Sequence, residues 1–499
     1  MSKTPGLESR PLAPKAALGV VIVILGAALA VLPIKWAALL LIGSIAGVGA
    51  LIRPALTLCL LPFAVPFGSL REVTLGPISV GGAELLLAVL VGTWLAQSVS
   101  RRRIVVPRAP LMLPLAIFLA ALLLSVLAAT SLELSGKEIV KWVEVMLIYG
   151  LVAQETDDRL GRWIVWAMLA AASAEAALGI YQFLFRVGPE GFVLFGRFMR
   201  SYGHFAQPNP FAGYLGLCFP LAYALSLDSL PRLARVLRGQ ASQLPAALLP
   251  LAAAAVTGAA MLTSWSRGAW VGLATSVATV TLLRSRRALL LSGVAGVCLA
   301  LVLAMGGGRF IPAALVQRTA DLIPLASGVD LAHVEVNDAN WAILERMAHW
   351  QAAAAMFNDH PWLGVGTGNY PVAYPRYAVG RWRDPLGHAH NYYLNVAAEA
   401  GLVGFVAYVL LVTACLLEAW RVIRRTRGTG WWNAVALGVL GILVHLSVHN
   451  LFDNLYVHSM NVQLGLALGL LALADRYGRP SVEPPAAGGG QPEQVTPCA

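Results

Sequence analysis

Apolar stretches of membrane-crossing or near-crossing length recur along most of this chain. They fall at roughly 16–33, 36–52, 54–68, 78–97, 110–129, 139–153, 162–183, 209–227, 246–264, 268–283, 288–305, 401–418, 433–449 and 458–474. A spanning helix needs about 20 mainly apolar residues, so the pattern predicts 12–14 transmembrane helices. The runs at 54–68 and 139–153 are short, and Pro62 and Pro66 predict a broken or re-entrant path through the first of them. Residues 306–400 form the longest polar excursion. Within it, 338–358 (DANWAILERMAHWQAAAAMFN) reads as a helix, with polar capping residues, an alanine-rich body and no internal Gly or Pro. The expected fold is an all-α polytopic membrane protein in four parts: N-terminal transmembrane helices (1–305), one large, partly helical loop (306–400), C-terminal transmembrane helices (401–478), and a Pro- and Gly-rich disordered tail (479–499).

Composition supports that picture. Charged residues make up 12% of the 499 positions and hydrophobic ones 58%, against about 25% charged in soluble proteins. Mean hydropathy is +0.70. This excludes a soluble domain carrying a single anchor. Five cysteines (Cys59, Cys218, Cys298, Cys415 and Cys498) are scattered and form no metal or disulfide pattern. Lys3, Arg10 and Lys15 precede the first apolar run as in a signal peptide. A second run follows directly after Lys35, so a retained first helix is expected.

Charge placement adds an orientation. Arg101 to Arg103 with Arg108, then Arg232, Arg235 and Arg238, then Arg284, Arg286 and Arg287, then Arg421, Arg424, Arg425 and Arg427 mark alternate connections. With 14 crossings they all fall on the side of the N-terminus, which is therefore expected to be cytoplasmic, with 306–400 outside. Most of the net charge of +11 is this dressing and implies anionic membrane lipids, with no nucleic acid as partner. Arg186, Arg197, Arg200 and Arg267 break the rule, since they sit at outer helix ends. Arg267 lies in Ser264-Trp265-Ser266-Arg267-Gly268, a very short turn between two apolar runs. A cation held there needs an anionic partner or a reach to lipid headgroups.

The outer connections also carry the candidate chemistry. Pro208 and Pro210 bar a helix around Asn209, and that turn is dense in hydrogen-bonding groups. Gly364, Gly366 and Gly368 alternate as in a phosphate cradle. Tyr370, Tyr374, Tyr377 and Trp382 beside Arg376, Arg381 and Arg383 suit sugar stacking and phosphate grip, or equally a packed lid. At the membrane edge stands Gly387-His388-Ala389-His390-Asn391, with Asn391, Asn395 and Glu399 on one helix face and Asn391 suited to an N-cap. A histidine near neutral pKa can take a proton from a hydroxyl. Arginines can neutralise a leaving diphosphate. No acidic pair for Mg²⁺ is visible, and an HxH zinc site at His388 and His390 lacks an identifiable third ligand in the sequence.

His390-Asn391, nine residues, then Gly401-Leu402-Val403-Gly404 resembles the H-[NSQ]-x9-G-x-x-G signature of bacterial O-antigen ligases. The Pro208 to Ala212 turn, Ser264 to Gly268, and Arg346 through Pro361 to Gly366 are similar to the wider ligase and polymerase superfamily. The resemblance covers about 200–404. It implies a class C-type glycosyltransferase-like fold in the bacterial inner membrane, with a periplasmic loop. It implies an undecaprenyl-diphosphate-linked glycan as donor and lipid A core or another glycan as acceptor. It further implies His390 as base, with Arg200, Arg267 and Arg346 engaging the diphosphate. From the residues themselves His388 and Asn391 are also expected to bind substrate, and no cofactor or metal is expected. O-antigen or exopolysaccharide polymerase and protein O-oligosaccharyltransferase are the enzyme alternatives, and no periplasmic domain is expected after the last helix. The non-enzyme alternative is a lipid-linked glycan transporter using Glu84, Lys141, Glu144 and Glu175 as an ion path, although Lys141 and Glu144 are spaced to neutralise each other. The absence of a repeat of 20–50 residues weighs against it.

Overall fold

The computed structural model describes residues 53–285 and 334–478, apart from gaps at 69–72, 76–77, 101, 103–108 and 337–339, plus a few isolated positions. The runs at 16–33, 36–52 and 288–305 lie wholly or almost wholly outside the described residues, as does the tail 479–499. The described helices are numbered in chain order. They begin with α1 (Leu61–Gly68), α2 (Gly82–Ser100), α3 (Met112–Ser125), α4 (Leu132–Gln154) and α5 (Asp158–Phe185). Next come α6 (Pro208–Gly216), α7 (Phe219–Leu237), α8 (Leu244–Thr263) and α9 (Arg267–Arg284). The loop helix is α10 (Trp341–Asp359), and α11 (Tyr392–Arg425), α12 (Trp431–His449) and α13 (Met460–Tyr477) follow it. The protein is an all-α polytopic membrane protein: six spans among the described residues are long and apolar enough to cross a bilayer, α6 and α7 together counting as one of them.

The differences from the apolar pattern have local causes. Residues 54–68 are broken, a 3₁₀ turn Pro54–Cys59 giving way to α1. Ile78–Val80 pairs with Val73–Leu75 in a short antiparallel hairpin, so the run at 78–97 becomes helical only from Gly82. The short run 139–153 is part of a 23-residue helix that Ser131 caps by accepting from the Leu134 N–H. Its first turns carry charge, and Lys141 pairs with Glu138 at 2.6 Å. Lys141 and Glu144 make no direct ion pair but still act on each other electrostatically, and Glu144 accepts from Asn461 Nδ2 at 2.7 Å.

Small residues set the closest helix contacts, as expected where lipid offers no hydrophobic drive between helices. Gly465 and Gly469 let α13 lie against Ile148 and Val152 of α4, where an added Cβ would come within 2.9 and 2.4 Å. Helix α11 is interrupted at Gly401, whose φ of 61° and ψ of −161° suit glycine. The carbonyls of Ala398 and Glu399 accept instead from the Val365 and Gly366 N–H groups, both at 2.9 Å. The loop thus satisfies the backbone that the break exposes.

One end of the bundle holds arginines of the alternate connections that lie among the described residues. Arg232 and Arg284 both reach Asp228, at 3.3 and 3.4 Å, and Arg425 reaches Asp475 at 3.5 Å. Helix α9 runs from Arg267 to Arg284, 18 residues or about 27 Å at 1.5 Å per residue. Arg267 therefore lies at the other end.

Candidate active-site cavity

At that other end is a cavity of about 330 Å³ lined by residues from separate stretches of chain. Arg200 and Gln207 come from the connection leading into α6. Asn209 lies in its first turn, which corrects the expectation that Pro208 and Pro210 bar a helix there, since Pro is tolerated at the first helical positions. Ser266, Arg267 and Gly268 form the start of α9. Glu345, Arg346 and Trp350 lie on α10, and His388 and His390 precede α11. His449 ends α12, and Phe452 and Asp453 follow it.

Arg200 and Arg346 are positioned by carbonyl oxygens. Arg200 donates through Nε to the Ser264 carbonyl at 2.8 Å and through Nη2 to Asn209 Oδ1 at 3.0 Å. Arg346 donates to the Ala342 and Phe452 carbonyls at 2.9 and 3.3 Å, joining α10 to the segment after α12. Trp265 adopts a φ of 55°, which turns the chain sharply so that Arg267 opens α9. Arg186 and Arg197 are exposed and do not line the cavity.

The histidines share this cavity with the arginines. His390 Nδ1 lies 3.4 Å from Asp453 Oδ1, long for a hydrogen bond but typical of a catalytic pair before substrate tightens it. Burial alone would raise the Asp453 carboxyl. His390, His388 and Arg346 outweigh it and hold the group well below the usual carboxylate range. With Nδ1–H directed at this carboxylate, a neutral His390 carries its lone pair on Nε2. His388 Nδ1 accepts from the His390 backbone N–H at 3.1 Å, which places the His388 proton on Nε2. Burial, then the neighbouring His390, push the His388 imidazole down to about 3.

His388, His390 and Asp453 also bring three possible metal-ligand atoms within 4.8 Å of one another. This corrects the expectation that the HxH pair lacks a third ligand; Asp453 comes from a different segment, 63 residues beyond His390. The set fits a cation poorly. Ligation through His388 Nδ1 would displace the His390 N–H, and ligation through Nε2 would move the proton onto Nδ1, which now accepts. Arg200, Arg267 and Arg346 line the same cavity and repel a cation.

Other expectations resolve into structure. Asn391 caps α11 by accepting from the Leu394 N–H at 3.1 Å and is not among the lining residues. Asn395 accepts from the Ala389 N–H and Glu399 from the Tyr370 N–H. The glycine cradle is corrected too, because the Val365 and Gly366 N–H groups are engaged by α11. Tyr370 and Tyr374 are fully buried against His349, and Trp382 is nearly fully buried against Trp341, forming a packed lid in place of a sugar platform. Asp453 is the residue that sequence reasoning missed. Its signal is a polar break, 450–454, between two apolar runs at the loop's end of the bundle.

These features define a multi-pass membrane protein with a cationic, histidine-bearing cavity at one end of its bundle. The family model described as O-antigen ligase matches residues 252–409, which bears out the resemblance to the O-antigen ligase-like superfamily. The matched span contains Arg267, Arg346, His388 and His390, whereas Arg200 and Asp453 lie outside it. Comparison with curated proteins gives no match.

Proposed function

We propose that the protein transfers a glycan from an undecaprenyl-diphosphate-linked donor to an acceptor hydroxyl at the periplasmic face of the inner membrane, with lipid A core as acceptor. The carrying observation is the His390–Asp453 pair on the wall of a cavity whose other walls hold Arg200, Arg267 and Arg346. His390 Nε2 takes the acceptor proton while the hydroxyl oxygen bonds to the anomeric carbon. The bond from that carbon to the diphosphate oxygen breaks, and the diphosphate leaves with the electron pair. Asp453 stabilises the imidazolium and the arginines neutralise the leaving group, so it needs no proton. A single displacement inverts the anomeric centre and needs no metal.

The ion-path alternative is weakened because its carboxylates are committed: Glu84 accepts from Ser459, Glu144 from Asn461, and Glu175 holds His204. The test is transfer by purified protein with lipid-linked donor and acceptor, with and without EDTA. His390→Ala should abolish transfer yet retain donor binding, and EDTA should have no effect. Chelator-sensitive activity restored by zinc would assign His388, His390 and Asp453 to a metal. Transfer to a second donor repeat in preference to lipid A core would make the protein a polymerase.

A further inference from the structure

Helix α12 carries two buried histidines that the mechanism above does not use. His449 lines the cavity and is 1% exposed, and His445, one turn earlier, is fully buried. His449 Nδ1 lies 3.4 Å from His445 Nε2, so one of the two nitrogens donates. This contact occupies Nδ1 of His449 and leaves its Nε2 without a hydrogen-bond partner among the described residues.

Two proton arrangements satisfy the pair. In one, His449 donates from Nδ1 and presents a lone pair at Nε2. In the other, His445 donates from Nε2 and His449 presents an N–H. The far nitrogen of His445 would decide between them if it were firmly bonded. It lies against the Gly272 backbone, 2.7 Å from where a Cβ would stand. Donation from Nδ1 to the Gly272 carbonyl would favour the first arrangement, but the contact falls short of full hydrogen-bond geometry. Neither arrangement is locked from that side, so what enters the cavity selects one. An anion selects the N–H.

The surroundings favour an anion. His449 Nε2 sits 3.1 Å from where a Cβ on Gly268 would be, at the first turn of α9 beside Arg267. The N-cap residue of α9, Ser266, makes no side-chain capping bond. An 18-residue helix thus presents its positive end to the cavity without a side-chain cap, with a buried imidazole alongside.

We propose that His449, whose Nε2–H tautomer an entering anion selects while His445 donates to its Nδ1, is a phosphate-binding residue that grips the donor diphosphate at the start of α9. This rests on the reading of the cavity as a diphosphate site. His445 is a positioning residue and touches no substrate.

The experiment measures binding of inorganic diphosphate to full-length purified protein by calorimetry, together with KM for donor and for acceptor. His449→Ala should weaken diphosphate binding and raise donor KM by about tenfold, the loss expected for one hydrogen bond to a charged group, with acceptor KM unchanged. His449→Gln, which retains an N–H near the Nε2 position, should recover most of that loss. His445→Phe should raise donor KM by less and leave acceptor KM alone; an equal rise in both would reduce His445 to packing. Diphosphate affinity in His449→Ala equal to that of the unsubstituted protein would overturn the inference alone. Failure of the unsubstituted protein to bind diphosphate would overturn the cavity reading as well.

Discussion

Two segments of the same loop, 364–370 and 388–391, are both short and polar, yet they do opposite things with their hydrogen-bonding atoms. In the first, the polar atoms are engaged inside the protein. Thr367 Oγ1 lies 2.7 Å from Ser125 Oγ, and the Thr367 carbonyl accepts from Ser135 Oγ at 2.7 Å. Asn369 accepts from the Ser131 N–H at 2.6 Å and donates to Ser135 Oγ at 3.0 Å. Gly366, at a φ of 97°, passes so close to Ala129 that a Cβ would come within 2.4 Å of its Cα. This segment latches the loop to the corner between α3 and α4. In the second, His390 keeps Nε2 available because Asp453 engages only Nδ1. Polar residue type does not separate a latch from a site; what separates them is which atoms remain available.

Breaking the His390–Asp453 pair should give the largest effect. Asp453→Asn keeps the shape but favours the wrong imidazole tautomer, so kcat should fall by about 10²–10⁴-fold, the range spanned by general base catalysis. Donor binding should persist. A variant retaining most of its turnover would show that His390 needs no carboxylate.

Arg267→Lys sharpens the contrast from the opposite wall. Lysine keeps the charge and loses the planar fork, so transfer should fall at least about tenfold with expression and thermal stability unchanged. Thr367→Val tests the latch in the reverse sense. It should cost about 1 kcal/mol of stability by removing the one hydrogen bond to Ser125 Oγ, which still donates to the Leu122 carbonyl and accepts from the residue 367 N–H, while the folded fraction turns over normally. Equal loss of activity and stability in both variants would erase the distinction between the segments.

Much of this was legible in the sequence. The apolar runs located the helices, because spanning length is a strong constraint. The loop helix was expected at 338–358 and found at Trp341–Asp359. Arginine placement set Arg200 and Arg267 apart from Arg232 and Arg284 at the other end, but it grouped with the first pair Arg186 and Arg197, which do not line the cavity. Pairings between distant segments were not legible. Asp453 meets His390 only because α11 and α12 pack side by side, and neither residue's neighbours announce the other. The glycines at 364–368 were misread for the same reason, since the carbonyls they lie against, at Ala398 and Glu399, are far along the chain.

The smallest effect on transfer is expected from the lid, where what changes is the pH dependence of stability. His349 is buried beneath Tyr370 and Tyr374, with Nδ1 2.9 Å from the Tyr370 hydroxyl and its ring stacked 4.5 Å from that of Tyr374. Burial, then His390, lower its pKa from an ordinary 6.5 to about 4. Between those values the unfolded chain binds a proton that the folded lid does not, so stability rises with pH across the window. The contribution is fully present above about 6.5 and is lost as pH falls toward 4. His388, lowered to about 3, adds a loss of the same sign that extends to lower pH. Asp453, held low, adds a loss of the same sign that begins only near the bottom of the window, where the unfolded carboxyl starts to take up a proton. Thermal unfolding of His349→Phe and the unsubstituted protein, compared from pH 7 to pH 4, isolates the His349 share because all other groups are common to both. The melting temperature of the unsubstituted protein should fall more steeply with acid. Parallel curves would mean that the lid already accommodates a charged His349.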